Sequence, residues 1–375
     1  MQIKVLLTGA TGFVGGDFLY ALHHEEAALA TQLEITALVR DEAKGQLITQ
    51  AFPAVKIVVG DMKDAAFTSR LASAADIVMH LAAAANFASI EAVHHGLQQP
   101  RGSRKAFHIQ VGGASFFAAD EIAARATLGS APASDKLVFD DLDGVPEIRR
   151  FVRAHPERRA ENYILDETHK GSSSSSSSAE PNNDSGINTA FVVGPLIYGR
   201  GRGPVNQRSL QIPELARIAL ETGKVLKVGA GDNVWATVHV ADLSDVFVRL
   251  LKRAVDVLSG RDGDQATAEG GAVWGPDAVY LAHVDEVKMG DVAELVAAAL
   301  AAKQAKVQIA HITPDEADKL AAYGSIMWGT NVRATGRRAT ELLGWQPRYK
   351  DDIAEEVQRV VDEEVERIAN VVATA

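Results

Sequence analysis

The sequence predicts an α/β fold, a doubly wound parallel sheet with helices on both faces. Three observations carry it. Short, continuous apolar runs alternate with amphipathic helical patterns over the first two hundred residues. A glycine-rich turn separates the first apolar run from the first helical one. The 375 residues are 47% hydrophobic, enough to fill one large core and a smaller companion. Strands buried on both faces read as unbroken apolar runs, and parallel neighbours need helical crossovers between them.

In order, Ile3 to Leu7 is a strand, Phe13 to His23 a helix and Leu33 to Val39 the next strand. Val55 to Val59, Ile77 to Leu81 and Phe107 to Val111 follow as strands, each β-rich and read as buried. A helix from about Pro146 to Thr168 leads toward a strand at Ala190 to Val193, and Val279 to Ala282 supplies the last strand. Between these, residues 171–186 carry seven consecutive serines, Ser172 to Ser178. Such a run has nothing to bury and reads as a flexible surface loop. Asp256 to Gly271, rich in Gly and Asp, reads as a second loop. The 351–375 tail reads as a packed C-terminal helix, because Ile353, Val357, Val360, Val361, Val365 and Ile368 recur at helical spacing.

Composition removes several function classes. The net charge of −11 offers no basic field for a nucleic-acid backbone. The absence of cysteine excludes disulfides, thiolate nucleophiles and Cys-ligated metals. The pairs His23-His24 and His94-His95 lack metal-site spacing and read as surface histidines, so no metal is expected. No run approaches the ~20 apolar residues of a membrane helix, and the opening run is too short for a signal peptide. A soluble, cytoplasmic protein with a small-molecule substrate is the expectation.

Thr8-Gly9-Ala10-Thr11-Gly12-Phe13-Val14-Gly15 sits directly after a strand and opens a helix. That context makes the glycine triplet a dinucleotide-binding signature of Rossmann type. A backbone that must touch a pyrophosphate cannot carry Cβ atoms there. The helix N-terminus presents free N–H groups and a positive dipole end. At the end of the second strand an acid would bind a ribose 2′-hydroxyl, whereas an arginine would pair with a 2′-phosphate. Arg40 arrives first after the last apolar residue and Asp41 second, which favours NADP over NAD.

With these pieces in hand, the chain resembles the extended short-chain dehydrogenase/reductase superfamily, in its NAD-dependent epimerase/dehydratase branch. Beyond the Gly9–Gly15 turn, the matching pieces are Gly60-Asp61, His80-Leu81-Ala82-Ala83, Gly194-Pro195-Leu196-Ile197-Tyr198-Gly199, Val238-His239-Val240-Ala241-Asp242-Leu243, and Arg338 with Leu342-Leu343-Gly344-Trp345 and Pro347. The resemblance implies cofactor contacts from Gly9, Thr11, Gly12, Phe13, Val14, Gly15 and Arg40. Asp61 and Met62 would lie at the adenine, Leu81, Ala82 and Ala83 at the nicotinamide ribose, and Pro195 beside the nicotinamide. It also implies a discontinuous architecture. Residues 1–200 plus 232–283 would bind the dinucleotide, with Val238–Leu243 as a structural return to the sheet. Residues 201–231 plus 284–350 would form a smaller substrate domain, and a homodimer through helices flanking the sheet is common in the family.

The family's catalytic Tyr-x-x-x-Lys pair is missing. None of the six tyrosines is followed four residues later by lysine. The family's Ala-Glu lines up with Ala160-Glu161, which puts Arg153 or Ala154 where tyrosine belongs and Glu157 or Arg158 where lysine belongs. The Ser-Ser pair falls on Gly112-Gly113, with Ser115 two places on. Ser115, Tyr163 and Arg158 are the substitute catalytic candidates. Tyr163 also reads as a packed helix residue and Arg158 as a solvated one. Arg200 and Arg202 on a glycine loop could clamp an anionic substrate or be a solvated crossover. Trp235, beside Asn233 on an expected hairpin, reads as core. The reading is an NADP(H)-dependent oxidoreductase acting on a small carbonyl or sugar-like substrate. Its chemistry would use relocated groups, or hydride positioning with water supplying the proton, as in signature-poor members of the divergent fungal epimerase/dehydratase-like group. The alternative is a non-catalytic redox sensor of NmrA-like type.

Overall fold

The computed structural model describes residues 2–82, 84–101, 104–133, 138–166, 168, 186–261, 272–349 and 353–374. In chain order its strands are β1 (Ile3–Thr8), β2 (Leu33–Val39), β3 (Lys56–Val59), β4 (Ile77–His80), β5 (Ala106–Gly113), β6 (Val138–Asp140), β7 (Ile187–Gly194), β8 (Leu196–Tyr198), β9 (Lys224–Val228), β10 (Val234–His239), β11 (Val279–Leu281), β12 (Asp285–Lys288), β13 (Gln308–Ile312) and β14 (Arg333–Thr335). Seven of them form one parallel sheet in the order β11-β7-β5-β4-β1-β2-β3. The order reverses beside β1, so β1 and β4 part at the crevice where doubly wound sheets bind ligands.

The strand centres earn their places by burial. Leu7, Ile77, Val78, Met79, Phe107, Ile109 and Val192 are almost wholly removed from solvent. Each such side chain contributes about 1.5–3 kcal/mol of apolar burial. On one face, the helix Phe13–His24 packs Phe18, Leu19 and Leu22 into the same core as Val246, Phe247 and Leu250 of the helix Val240–Leu258. On the other, the helices Ala65–Ser73 and Phe87–Leu97 cover Leu6, Leu38 and Val78 with Ala72, Val93 and Leu97. The C-terminal helix Ile353–Thr374 buries Val357, Val360 and Val361 in a second core with Ile212, Leu215, Val292 and Val296.

Several expectations change. β3 is not buried. Among the described residues it pairs only with β2, and Val59 is 49% exposed because the sheet ends there. The helix expected over 146–168 is two, Val145–Arg153 and Arg159–Asp166. Pro156, which cannot donate to a helical ladder, stands in the break. Asn162 Nδ2 donates there to the carbonyls of Val152, His155 and Arg158. Residues 256–258 are not loop. They finish the helix Val240–Leu258, held in place by buried Ala254 and Val255, while 262–271 lie outside the described residues. So does the serine run.

β10 does not return to the central sheet. It pairs parallel with β8 and antiparallel with β12 in a separate three-stranded sheet. Pro195, lacking an N–H, separates β8 from β7. Trp235 therefore sits on a strand that pairs with β8 and β12 rather than in a hairpin with β9, and it is buried, as the core reading expects. His94 is also buried, not on the surface, because its helix turns it toward Tyr163.

Candidate functional site

The carboxyl ends of the parallel strands set out a row of loops. From one side of the sheet to the other come Arg40 after β2, the glycine turn after β1, Leu81 and Ala82 after β4, Ala114 and Ser115 after β5, Pro195 after β7, and Ala282 and His283 after β11. Ala83 lies outside the described residues.

The glycine turn is built as a cradle. Gly9 has φ +84°, a left-handed conformation, and a Cβ on it would stand 2.5 Å from the Leu81 carbonyl oxygen. Gly12 donates its N–H to the Gly9 carbonyl at 2.8 Å, and a Cβ on Gly12 would lie 3.1 Å from that oxygen. A Cβ on Gly15 would strike the same Gly9 carbonyl, so the third glycine lets the helix lie tightly on the turn. No side chain caps the helix that starts at Phe13. The first-turn amides of Phe13, Val14 and Gly15 therefore remain available to an anion. Thr11 and Val14 are half-buried at its mouth, and Phe13 reaches across to Gly201. These residues fit a dinucleotide pyrophosphate.

At the end of β2, Asp41 is the N-cap of the next helix, its carboxylate accepting from Lys44 N at 3.1 Å. Arg40 is exposed. Asp61 is likewise occupied locally, accepting from Lys63 N, and Met62 is partly buried against the core. Beneath the site His80 is fully buried. Thr8 Oγ1 lies 2.6 Å from its Nδ1 and Ser89 Oγ 2.9 Å from its Nε2. Burial drops its pKa to about 4, so the ring is neutral. It ties β1, β4 and the helix Phe87–Leu97 together below the crevice.

The catalytic candidates divide. Arg158 and Ser115 come together, Arg158 Nη2 donating to the Ser115 carbonyl at 3.3 Å. Arg158 is half-buried rather than solvated. Ser115 lies on a 3-10 helix, Ala114–Ala118. With three residues per turn, Ala114 and Phe117 share one face and Ser115 is turned away from it. Tyr163 is packed edge-on against Phe87 (5.3 Å) and His94 (5.6 Å). Arg153 is bound to Asp166 at 2.6 Å and 2.7 Å. Where the serine pair is expected, a Cβ on Gly112 would strike the Phe191 ring, whereas one on Gly113 would meet open space.

Arg202 is committed to protein carboxylates, not held for a substrate. It binds Asp17 through Nε at 2.9 Å and Nη2 at 2.8 Å, reaches Glu25, and lies 4.7 Å above the Tyr20 ring. Asp17 is fully buried, and this cluster pins residues 200–203 to the first helix. Arg200 donates to Gln207. The Gly199 amide donates to buried Glu356 of the C-terminal helix at 3.0 Å. Asp141, fully buried, accepts from the amides of Leu281, Arg337 and Arg338. Burial raises its pKa.

Sequence reasoning missed Asp17, Asp141, Glu356 and His283. His283 alone carried a readable signal, since it is the first residue after the strand expected at Val279 to Ala282. Among the described residues no group of His, Asp and Glu is arranged to hold a metal, and no helix is long and apolar enough to cross a membrane.

The sheet order and the glycine turn define a Rossmann-type protein, and its relatives narrow that class. Residues 5–94 match the NAD-dependent epimerase/dehydratase family. Oxidase ucsJ of Acremonium sp. is 33% identical over 372 residues, covering 98% of this chain and 99% of that protein. An uncharacterised protein of Saccharomyces cerevisiae is 24% identical over 356 residues, covering 92% and 95%. The chain belongs to the NAD-dependent epimerase/dehydratase family of the extended short-chain dehydrogenase/reductases. Among solved structures, the dTDP-glucose 4,6-dehydratase of Streptomyces venezuelae, with NAD bound, superposes with a TM-score of 0.58 at 16% identity, covering 97% of each chain. The UDP-glucuronic acid 4-epimerase of Bacillus cereus, in complex with UDP-glucuronic acid and NAD, does so at 0.57 and 13%, covering 97% of this chain and 99% of that one.

Proposed function

We propose that this chain is an NADP(H)-dependent oxidoreductase acting on a small carbonyl or sugar-like substrate. The observation that carries the cofactor choice is the division of labour after β2. Asp41 is engaged as a helix cap, while Arg40 stands exposed beside the glycine turn. A guanidinium there pairs with a 2′-phosphate. The redox assignment is supported by the full-length relative that is an oxidase. On this reading Gly9, Thr11, Gly12, Phe13, Val14 and Gly15 hold the pyrophosphate, and Asp61 and Met62 border the adenine. Leu81, Ala82 and Ala83 follow the nicotinamide ribose, and Pro195 borders the ring. Residues 201–231 and 284–350 close over it as the substrate-side part.

A second reading, a dinucleotide sensor without turnover, is favoured by one observation: Tyr163 is packed between Phe87 and His94. Calorimetric titration tests the cofactor assignment. NADP+ should bind at least about tenfold more tightly than NAD+, a difference of about 1.4 kcal/mol. Arg40→Ala should abolish the difference and Asp41→Ala should not. Equal or tighter NAD+ binding by the native chain refutes the assignment. A panel of alcohols and carbonyls with labelled cofactor separates enzyme from sensor, because a sensor transfers no label.

A further inference from the structure

We propose that the outer edge of β13 is a self-association surface. Two copies of this chain pair their β13 strands antiparallel about a two-fold axis at Ala310, which joins the β9-β13 sheets of both copies into one. The inference is independent of the cofactor reading above.

β13 and β9 form a parallel pair with no further strand among the described residues. β9 is the covered member, with Val225, Leu226 and Val228 buried. β13 is the bare one. Gln308 and His311 are exposed, and Ile309 is 39% exposed, although isoleucine is among the residues most often buried. The direction of the backbone groups follows from the bonds at the two ends of the strand. Gln308 donates its N–H to the Gly223 carbonyl at 3.0 Å, and the Ile312 carbonyl accepts from the Gly229 N–H at 3.0 Å. Alternate residues of a strand bond the same neighbour, so Gln308, Ala310 and Ile312 face β9. The N–H and C=O groups of Ile309 and His311 therefore point outward, and among the described residues none of them meets a backbone partner.

Strand edges that stay single are ordinarily blunted by charge, by proline or by a covering element. β3, at the edge of the central sheet, carries Lys56, paired with Glu34 at 2.7 Å. Residues 308–312 contain no Lys, Arg, Asp, Glu or Pro.

Symmetry and charge select a second copy as the occupant. An antiparallel partner satisfies the outward groups only where its own outward residues stand opposite them. With Ala310 on the axis, Ile309 of each copy faces His311 of the other, and the two exchange N–H and C=O. Ala310 meets its own counterpart in a non-hydrogen-bonded pair. There the strands approach to about 4.5 Å between Cα atoms, and a small side chain fits. The flanks of the strand carry opposite charges. Lys306 before it is exposed, and the carboxylate of Asp315 after it is 79% exposed. The same register sets Lys306 of each copy opposite Pro314 and next to Asp315 of the other, so unlike charges meet at both ends. The strand's own sequence supplies this charge order, which an unrelated extended peptide lacks.

The full chain suits a crosslinking test because it contains no cysteine. Ala310→Cys places a thiol on the axis, where the Cα separation falls in the range of about 4.4–6.8 Å that a disulfide needs. Mild oxidation should yield a covalent dimer, and much faster than for Gln46→Cys, an exposed position on the helix Glu42–Ala51. Sedimentation velocity over a concentration series should show a larger species in the native chain. Ile309→Pro removes an outward N–H and leaves the bonds to β9 in place. It should melt with the native chain and weaken association at least about tenfold. Lys306→Glu, which cannot disturb the strand backbone, should also weaken association, most at low salt. Crosslinking of Ala310→Cys no faster than of Gln46→Cys overturns the proposal, as does identical sedimentation of the native chain and both edge variants. A monomer whose Ile309 and His311 amides resist hydrogen exchange overturns it too, because another segment of the same chain then covers the edge.

Discussion

His80 offers a stability prediction that can be worked from the structure. Its ring has no solvent contact and spans Thr8 and Ser89. In the unfolded chain an imidazole binds a proton near pH 6.5, but burial delays this in the folded chain to about 4. Across that interval the unfolded state holds more protons, so stability falls as pH falls. Above 6.5 both states are neutral and the contribution is flat. Each pKa unit is worth about 1.4 kcal/mol. The loss is therefore about 2 kcal/mol between pH 6.5 and 5, and about 3 kcal/mol by pH 4. His23 and His283, also lowered by burial, lose stability in the same direction, so a comparison is needed. His80→Gln keeps a hydrogen-bonding side chain and removes the titration. Urea unfolding of the native chain and the variant across pH 7 to 5 should give curves that diverge by about 2 kcal/mol at the acidic end. Parallel curves would refute the buried, neutral ring.

Other expectations follow from packing and charge. Gly9→Ala combines a left-handed backbone with a Cβ 2.5 Å from the Leu81 carbonyl oxygen. It should lower stability by about 2–5 kcal/mol and abolish dinucleotide binding; native-like melting and affinity would count against the cradle. Asp17→Ala leaves Arg202 without its buried partner and should cost about 3–5 kcal/mol. In a double-mutant cycle, adding Arg202→Met should recover part of that loss, and strict additivity would contradict the pairing. Gly113→Ser should fold as well as the native chain, whereas Gly112→Ser meets the Phe191 ring and should lose about 1–3 kcal/mol. Equal thermal midpoints for the two variants would refute that difference.

Much of this protein is legible in its residue order because the determining interactions are local. An apolar run such as Leu33–Val39 can satisfy its burial only as an inner strand, and the two boundaries coincide. Gly9, Gly12 and Gly15 mark the tight turn after β1 because its backbone shape requires residues without a Cβ. Where the sequence reading fell short, the missing information was a distant neighbour. The exposed edge of β3 follows from what does not pair with it. The break at Pro156 depends on Asn162 meeting freed carbonyls. The helix continues through Asp256 because Val255 has a core to enter. Arg202 reads as a ligand clamp until Asp17, 185 positions away, is seen to hold it. Periodicity and glycine spacing determined the fold class and the tight turn after β1, since short-range sterics and burial set both. Which charges are already paired was decided only by the tertiary structure, because pairing depends on distances that chain order does not contain.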